Sequence, residues 1–414
     1  MTSVDLEPTD AGRHIPAKSP ARWVRRNLFR TWYDSSITIG FGVLFAWVLV
    51  GIVRFLLTAD YTILRRNLAL FMLGSFPRDQ LHRPAAALLM IALATGLAAG
   101  ALTAHRREIA AVTGVGYQSS RVIDVVRRFW PVVLLVVVLL ALTETITPSL
   151  IVVGALGLGL IGVWAGRRIR ARFRRLAWAA LLVLPFLVYF MLAGFGGVGW
   201  RGWGGLHLNL FVTVAGVLLA FPLGLVLALG RKSSLPAVRT LSVAYIEFVR
   251  GVPLITLLLM GVFAIGFFLP AGVRPGTVTR VLIAITVFES AYIAEVVRGG
   301  LQAVPKGQVE AAQALGMTPW SIMRRIVLPQ ALRATIPAMV GQFISLFKDT
   351  TLVGVVGLPE VLSVAQDVNT QPDFVAQGLE RLTLPFAALI FWVGSYTMSR
   401  EARRLERKLG VGER

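Results

Sequence analysis

Cysteine is absent from this chain of 414 residues. Disulfides, thiolate metal sites and cysteine nucleophiles are therefore excluded. Only four histidines occur, and their spacing matches no metal-ligand motif. The sequence also lacks the Gly-x-x-x-x-Gly-Lys-Ser/Thr loop that holds nucleotide phosphates. We therefore expect no metal ion, no catalytic residue and no bound cofactor in this chain, and the chain itself cannot grip the phosphates of ATP.

Charged residues are scarce. They make up 15% of the chain, against about 25% in soluble domains. Hydrophobic residues reach 56%, and the mean hydropathy is +0.72. This composition predicts an all-α polytopic membrane protein. Acidic residues are the rarer sign, 21 against 42 Lys and Arg. Because the basic residues form short clusters between apolar stretches, we expect them to face a lipid bilayer and not nucleic acid.

The apolar stretches have roughly the 18 to 22 residues that a bilayer core requires, and they predict about ten transmembrane helices. The seventh span is broken at Gly251-Val252-Pro253. The predicted spans are 36–57, 85–104, 129–143, 148–165, 176–195, 208–229, 238–269, 277–297, 331–347 and 382–399.

Lysine and arginine are distributed unevenly over the segments that join these spans. With the N-terminus placed inside, roughly three-quarters of the 42 Lys and Arg fall in the inner segments. The positive-inside rule therefore predicts that both termini and the loop 298–333 are cytoplasmic. The N-terminal tail has no short apolar core followed by small residues, so we expect no cleavable signal peptide.

The character of the chain changes near residue 200. Before it, apolar spans are joined by arginine clusters; after it, ionisable residues lie within or beside the spans, which is a default mark of function. We predict five segments. They are a basic cytoplasmic tail (1–35), a transmembrane extension of about five spans (36–195), an extracytoplasmic loop (196–207), a core of five spans (208–400) and a basic cytoplasmic tail (401–414).

A polar stretch, residues 308–329, interrupts the apolar pattern between the eighth and ninth spans. Its first half consists of good helix formers. Gly316 favours a left-handed helix end. Thr318 can cap a second helix, and Pro319 falls at its first position. Pro329 predicts the far boundary, since proline cannot continue an interior helical ladder. The stretch therefore predicts two short helices with a break, a compact unit suited to docking.

The spacing of residues in this stretch resembles the cytoplasmic loop motif of ABC importer permeases. In that family the loop docks onto the ATP-binding subunit. The residues that carry the resemblance are Glu310, Ala311, Ala312, Gly316, Ile326, Leu328 and Pro329.

Three further strings, 245–253, 289–300 and 347–359, resemble the polar-amino-acid branch of these permeases, which includes histidine, glutamate, glutamine, arginine and opine importers. This resemblance covers about residues 208–400, which would be the type 1 permease core. The preceding region resembles the extended subunits of general L-amino-acid importers.

The resemblance implies the fold of a type I ABC importer transmembrane domain with extra N-terminal spans. It implies a non-catalytic subunit in the inner membrane of a bacterial cell. The implied partners are a dimer of ATP-binding subunits that hold ATP and Mg, a second permease subunit, identical or different, and an extracytoplasmic amino-acid-binding protein.

Two pairs of charged residues have the three-residue spacing of helical ion pairs. Glu247 and Arg250 precede the break at Gly251, and Glu295 and Arg298 close the eighth span. We expect both pairs to be structural, since charges within a membrane protein are normally paired.

Glu289 lies near the middle of the eighth span with no cation at helical spacing on its own helix. It therefore needs a hydrogen-bond partner on another helix, a water-filled cavity, or a substrate whose ammonium group it contacts. Ser290 and Gln342 are candidates to line the same path. Lys348 and Asp349 end the ninth span, where the lysine either belongs to an external gate or snorkels towards the interface.

The alternative function is an ion-coupled secondary amino-acid transporter that uses Glu289 as its cation site and needs no partner. A membrane enzyme is a third class, but the sequence contains no Ser/His/Asp constellation and no clustered carboxylates.

Overall fold

The computed structural model describes residues 23–24, 27–114, 122–270, 272–375 and 377–409. Helices make up the regular structure of these residues and no strand occurs among them, which confirms the all-α class. The chain divides into two units, Met1–Asp60 and Tyr61–Arg414. Residues 1–22 and 410–414, which belong to the two predicted tails, lie outside the described residues.

The first unit contains one long helix, α1 (Trp32–Thr58). The hydroxyl of Thr31 caps it by accepting a hydrogen bond from the backbone N–H of Asp34 at 3.1 Å. At 27 residues the helix is about 40 Å long, which exceeds the ~30 Å hydrocarbon core of a bilayer. It corresponds to the first predicted span.

The second unit begins with six helices. They are α2 (Thr62–Leu73), α3 (His82–Thr113), α4 (Val122–Arg128), α5 (Trp130–Ala141), α6 (Thr147–Arg168) and α7 (Arg174–Ala193). Helices α3 and α6 lie in close contact because both present small residues to each other. A Cβ atom on Gly162 would collide with the backbone of Leu93 and Leu97. Glycine is therefore required for this close approach.

Nine α-helices follow in the described residues from 205 onwards. They are α8 (Gly205–Gly230), α9 (Pro236–Gly251), α10 (Leu254–Leu259), α11 (Thr277–Ala303), α12 (Lys306–Ala314), α13 (Pro319–Ile322), α14 (Leu328–Asp349), α15 (Val361–Asp367) and α16 (Glu380–Leu409). Helix α11 lies at the centre of this part, packed against α8, α9 and α14. Its apolar side is buried, as the core residues Val281, Ile285 and Ile293 show.

Six helices in the described part of the chain are long and apolar enough to cross a membrane, and a seventh span is formed if α9 and the helix after it are counted together. That pair is bent by 105°, at the break that the sequence predicts. The predicted count of about ten spans is not confirmed.

Three predicted spans account for the difference. Helix α5 has 12 residues and is only about 18 Å long, too short for the hydrocarbon core. The apolar part of α7 covers Ala179–Ala193 only. Helix α11 is long enough, but it carries Arg280, Glu289, Glu295 and Arg298.

The bundle has two chemically different ends. We call the end at which α8 and α11 finish, near Gly230 and Ala303, the basic end. Arg231, Lys232 and Arg298 lie there. The other end, where α8 begins at Gly205, is called the opposite end. Each end has its own apolar cluster, one around Ile246 and Leu301 and one around Trp203 and Leu208.

Candidate functional site

The polar stretch at the basic end folds as a helix, a turn and a second helix, and we call residues 305–327 the knob. Helix α12 ends in a left-handed turn at Gly316, with φ of 73°. The N–H of Gly316 donates to the Gln313 carbonyl at 2.9 Å and that of Met317 to the Ala312 carbonyl at 3.1 Å. These two bonds form a Schellman motif, which satisfies the last carbonyls of the helix. The predicted helix break is confirmed.

The second helix of the knob starts as the sequence predicts. The hydroxyl of Thr318 accepts a hydrogen bond from the N–H of Ser321 at 3.4 Å, and Pro319 occupies the first turn of α13. Because a proline at this position lacks an N–H that would have no partner anyway, it starts the helix without cost. The two short helices are thus set by local residues on both sides of Gly316.

The far boundary differs from the prediction. Helix α13 ends at Ile322, and a π-helical segment, Met323–Val327, carries the chain into α14. Pro329 lies in the first turn of α14, so it helps to start that helix and does not end α13. The π-helical turn before Pro329 is wider than an α-helical turn. This geometry suits a proline, because proline has no N–H to donate to a carbonyl of the preceding turn.

The knob has a buried root and an exposed tip. Ala312 is 2% exposed and packs with Ile322 against the apolar cluster of the basic end. Leu315 and Trp320, in contrast, are 81% and 70% exposed. Glu310, Ala311, Gly316 and Pro329 are also exposed, whereas Ile326 and Leu328 are half-buried. A rigid turn therefore presents two large apolar side chains beyond the helix bundle.

A cluster of five charged side chains lies beside the root of the knob. Glu295 is its centre: it accepts a hydrogen bond from Nε of Arg298 at 2.9 Å and lies 3.7 Å from Arg250 and 3.8 Å from Arg231. Glu247 is paired with Arg231 at 3.1 Å. The spacing argument anticipates the contact between Glu295 and Arg298. Glu247 and Arg250, however, do not pair with each other: Glu247 pairs with Arg231 and Arg250 with Glu295.

Arg231 is the member of this cluster that sequence reasoning missed. It follows the end of α8 and reaches both carboxylates, on α9 and on α11. No local pattern could have revealed it, since Arg231 and Glu247 are 16 residues apart. The cluster therefore connects three helices at the basic end.

The predicted path residues differ in their surroundings. Glu289 is 1% exposed, and its Oε2 has no hydrogen-bond partner among the described residues. Its carboxylate interacts electrostatically with Asp349 on α14. Ser290 is buried and already bonded, to the hydroxyl of Tyr245 at 2.9 Å. Thus Glu289 has an oxygen free to accept a hydrogen bond, whereas the hydroxyl of Ser290 is already used.

The remaining path candidates lie on α14. Gln342 is half-buried and Lys348 is exposed. Asp349 accepts a weak hydrogen bond from the hydroxyl of Ser345 at 3.4 Å. Asp349 and Glu289, on neighbouring helices, are near enough for their like charges to repel each other.

At the opposite end a buried polar network holds the segment after α14, which we call the cap segment (residues 357–371). The amide of Asn209 donates to the hydroxyl of Thr350 at 2.9 Å and to Glu360 at 3.3 Å, and its oxygen accepts from the N–H of Val361 at 3.1 Å. Burial raises the pKa of the Glu360 carboxyl, although hydrogen bonds from the backbone at the start of α15 oppose that rise.

The cap segment contains the short helix α15 and the turn Val368–Thr370 after it. Its anchoring to Asn209 is not apparent from the sequence. A usable signal is the order of Gly357, Pro359 and Glu360, in which a positive φ of 82° at Gly357 and a carboxylate N-cap start the helix.

Helix α2 is a second feature that the sequence reading missed. Its residue Asn67 and Gln371 of the cap segment exchange side-chain amide hydrogen bonds of 2.9 and 3.2 Å. Arg66 pairs with Asp373 at 3.1 Å. The signal was the amphipathic order of Ile63, Leu64, Asn67 and Phe71, which are the buried residues of α2. The segment before the core thus contributes to the surface of the opposite end.

Among the described residues, no group of three or more His, Asp or Glu could hold a metal ion. A helical bundle with membrane-spanning helices, a protruding knob and unpaired polar groups within the bundle defines the class of a multi-span membrane transport subunit.

The chain belongs to the family of ABC transporter permeases. The family described as "Binding-protein-dependent transport system inner membrane component" matches residues 220–411. The chain is 34% identical, over 412 residues, to the inner membrane amino-acid ABC transporter permease protein YhdY of Escherichia coli (strain K12), covering 94% of this chain and 93% of that protein. That match includes the region before the core.

Two other relatives match about half of the chain. The glutamate/glutamine/aspartate/asparagine transport system permease protein BztC of Rhodobacter capsulatus is 48% identical over 206 residues, which are 50% of this chain and 47% of that protein. A solved amino acid ABC transporter, crystallised with histidines, has 32% identity and a TM-score of 0.44 over 48% of this chain and 90% of its own.

Membership in this family favours an ATP-driven permease over an ion-coupled secondary transporter. It also implies partnership with an ATP-binding subunit and a substrate-binding protein.

Proposed function

We propose that this chain is the permease subunit of an ATP-driven importer of polar or general L-amino acids. The observation that carries the proposal is the knob, whose exposed apolar tip is held by a rigid Schellman turn. The relatives support the substrate class: the Escherichia coli protein is named as an amino-acid permease, and the Rhodobacter capsulatus protein as a permease for glutamate, glutamine, aspartate and asparagine.

The knob docks onto a dimer of ATP-binding subunits, which bind ATP and Mg. Leu315 and Trp320 supply the apolar anchors, since buried aromatic and aliphatic side chains carry most interface energy. Glu310, Ala311 and Gly316 lie on the exposed surface that the partner would cover. Ala312 holds the knob to the bundle and does not itself face the partner.

The charged cluster around Glu295 transmits the movement of the knob. It ties α8, α9 and α11 together through Arg231, Arg250 and Arg298. A change of state requires contacts that differ between the two states. Ion pairs of 3.7 and 3.8 Å meet that requirement, because they can exchange partners with small shifts of the helices.

Glu289 contacts the ammonium group of the transported amino acid. Its free carboxylate oxygen is buried beside α14 and Asp349, and two carboxyl groups form a suitable site for a cation. Ser290 positions the wall through Tyr245, and Gln342 and Lys348 lie along α14 towards the opposite end.

The basic end faces the cytoplasm, and both termini lie there, in the inner membrane of a bacterial cell. The accumulation of arginines at that end supports this orientation. The opposite end, including the cap segment, faces the extracytoplasmic amino-acid-binding protein. A second permease, identical or different, completes the path. Residues 208–400 form the permease core, and 36–195 form an added transmembrane extension.

Co-purification of the ATP-binding subunit from native membranes tests the proposal. The test variant carries Leu315→Ala with Trp320→Ala. We expect at least a ten-fold loss of ATP-binding subunit, since interface anchors contribute about 2 kcal/mol or more each. The matched control carries Leu156→Ala with Trp164→Ala on α6, where these residues are 65% and 58% exposed.

The control should retain the partner, because these side chains lie outside the knob. Wild-type amounts of ATP-binding subunit on the test variant would contradict docking through the tip. If the wild-type chain retains no ATP-binding subunit but takes up amino acids alone under an ion gradient, the whole proposal fails.

A further inference from the structure

A cavity at the basic end is independent of the knob and of the proposed path. It has a volume of about 580 Å³ and lies between the start of α5 and the end of α16. Four arginines and one carboxylate contribute to its wall, together with two aromatic side chains. The lining residues are Trp130, Tyr396, Arg400, Arg403, Arg404, Glu406 and Arg407.

Three of these arginines lie on one side of α16. Arg400, Arg403 and Arg407 follow the three- and four-residue spacing of a helix face. Among the described residues none of the three has a carboxylate partner. Arg400 donates to the carbonyls of Arg127 and Arg128 at 3.3 Å, Arg403 to the hydroxyl of Ser399 at 3.1 Å and Arg407 to the Arg403 carbonyl at 3.4 Å.

These bonds leave most of the guanidinium donors unused. Each arginine has five N–H donors in a planar fork, a geometry suited to phosphate oxygens. The bonds also orient Arg400 and Arg403, because an acceptor at the end of α4 holds the first and an acceptor on α16 holds the second. The cavity thus combines unpaired positive charge with restricted side chains.

The neighbouring carboxylate does not neutralise this face. Glu401 accepts hydrogen bonds from Nε of Arg128 at 2.9 Å and from Arg404 at 2.7 Å. Those two contacts occupy both of its oxygens, since Arg128 also donates to the second one. Glu401 therefore fastens α4 to α16. Glu406 is the carboxylate of the cavity wall, and it forms no ion pair with Arg400, Arg403 or Arg407, so these three arginines have no counter-ion among the described residues.

Aromatic residues set the depth of the cavity in the membrane. Trp392 stacks on Tyr396 with ring centroids 5.1 Å apart, and Trp130 lies 6.0 and 6.1 Å from these two rings. Tryptophan and tyrosine collect where the hydrocarbon meets the headgroups. Arg400 to Arg407 follow Tyr396 by roughly 6 to 16 Å along the helix axis. The guanidinium groups therefore reach the level of the lipid phosphates.

We propose that this cavity binds the phosphate group of an anionic phospholipid. Arg400, Arg403 and Arg407 bind the phosphate oxygens, and Trp130 and Tyr396 pack against the glycerol and the upper part of the acyl chains. Basic pockets between transmembrane helices bind lipid headgroups in this way. The site requires neither the knob nor the transported substrate.

Native mass spectrometry of the purified full chain tests the proposal with three ligands: phosphatidylglycerol, phosphatidylcholine with the same chains, and soluble glycerol phosphate. The test variant carries Arg400→Gln, Arg403→Gln and Arg407→Gln. The control variant removes equal charge at the same end through Arg167→Gln, Arg170→Gln and Arg172→Gln. Arginines near an anionic surface contribute about five-fold each to affinity, so we expect a loss of roughly 100-fold for the first phosphatidylglycerol.

The wild-type chain and the control should bind the first phosphatidylglycerol with similar affinity, and both should bind phosphatidylcholine more weakly. Equal losses in the two triple variants would show a general charge effect and overturn the site. Glycerol phosphate that binds as tightly as the lipid would assign the cavity to a soluble phosphate compound. Unchanged lipid affinity with a lost ATP-binding subunit would assign the arginines to that protein. If the test variant retains both the lipid and the ATP-binding subunit, the three arginines bind neither of them and the proposal is overturned.

Discussion

Asn209 fastens the cap segment to α8. It is completely buried and makes three hydrogen bonds, to Thr350, Glu360 and the backbone of Val361. Asn209→Leu keeps the approximate size of the side chain and removes all three bonds. The polar groups of the partners then remain buried without their partner, which is the costly way to lose a hydrogen bond.

The expected loss for the cap segment is about 3 kcal/mol, if the bond to the backbone of Val361 contributes ~1 kcal/mol and the bond to the Glu360 carboxyl ~2 kcal/mol; the bond to Thr350 lies outside this segment. Each 1.4 kcal/mol changes an equilibrium about tenfold. The population in which the cap segment has opened should therefore rise by roughly two powers of ten. Hydrogen–deuterium exchange of the amides at the start of α15 measures this opening, because the N–H of Val361 is one of the bonded groups.

Thr213→Val is the matched control on the same helix. Among the described residues the hydroxyl of Thr213 is bonded only to the Asn209 carbonyl, at 2.7 Å within the helix, so its removal should change exchange little. The knob supplies an internal reference, since it lies at the basic end and should exchange as in the wild type. Unchanged exchange at α15 in a folded Asn209→Leu protein would refute this account of the cap segment.

Three further outcomes are expected. Gly316→Ala should destabilise the knob by ~1 kcal/mol because of the positive φ, whereas Gly307→Ala, with open space around it, should stabilise α12 by ~0.5–1 kcal/mol; limited proteolysis of the knob separates the two. Burial raises the pKa of Glu360, so the closed cap segment should lose stability as the pH rises from 4.5 through the raised pKa. Glu360→Gln should abolish this pH dependence, as measured by hydrogen exchange corrected for intrinsic rates. Glu289→Gln should leave the complex assembled and reduce uptake at least ten-fold; normal uptake would exclude a substrate contact.

The knob shows how far local sequence reaches. Its break, its left-handed residue and its cap were predictable because Gly316, Thr318 and Pro319 act within four residues of their partners. The buried state of Ala312 was not predictable, since it depends on Ile246 and Leu301 of other helices. As a result, a charge at Ala312 would disturb the root of the knob before any interface.

The charged cluster shows the limit of helical spacing. Glu295 and Arg298 share one helix, and the rule for neighbours three apart identified their contact. Glu247 and Arg250 have the same spacing, yet each has its partner on another helix. Because Arg231 follows the end of α8 and lies close to Glu247, it pairs with Glu247 in place of Arg250. Arg250 pairs instead with Glu295 on α11.

The apolar pattern identified where helices occur, but the number of spans it predicts is not confirmed. Hydropathy is averaged along the chain, whereas α5 ends after 12 residues and α11 carries charged residues such as Glu295, whose partners lie on other helices as well as on its own. Helix α2 was missed because the partner of its buried polar residue is distant in the sequence. Asn67 bonds to Gln371, which is 304 residues away.

The sequence by itself determined the all-α membrane class, the break between α11 and α14 and the family, because these depend on composition, local backbone preferences and a motif of fixed spacing. Only the tertiary structure decided which polar groups are satisfied. It used Ser290 in a bond to Tyr245 and joined Asn209 to the cap segment. Among the residues that the structure describes, it left an oxygen of Glu289 without a partner and three arginines of α16 without a counter-ion. The physical reason is that hydrogen bonds and ion pairs form between groups that are near in space, and distance along the chain does not reveal those neighbours.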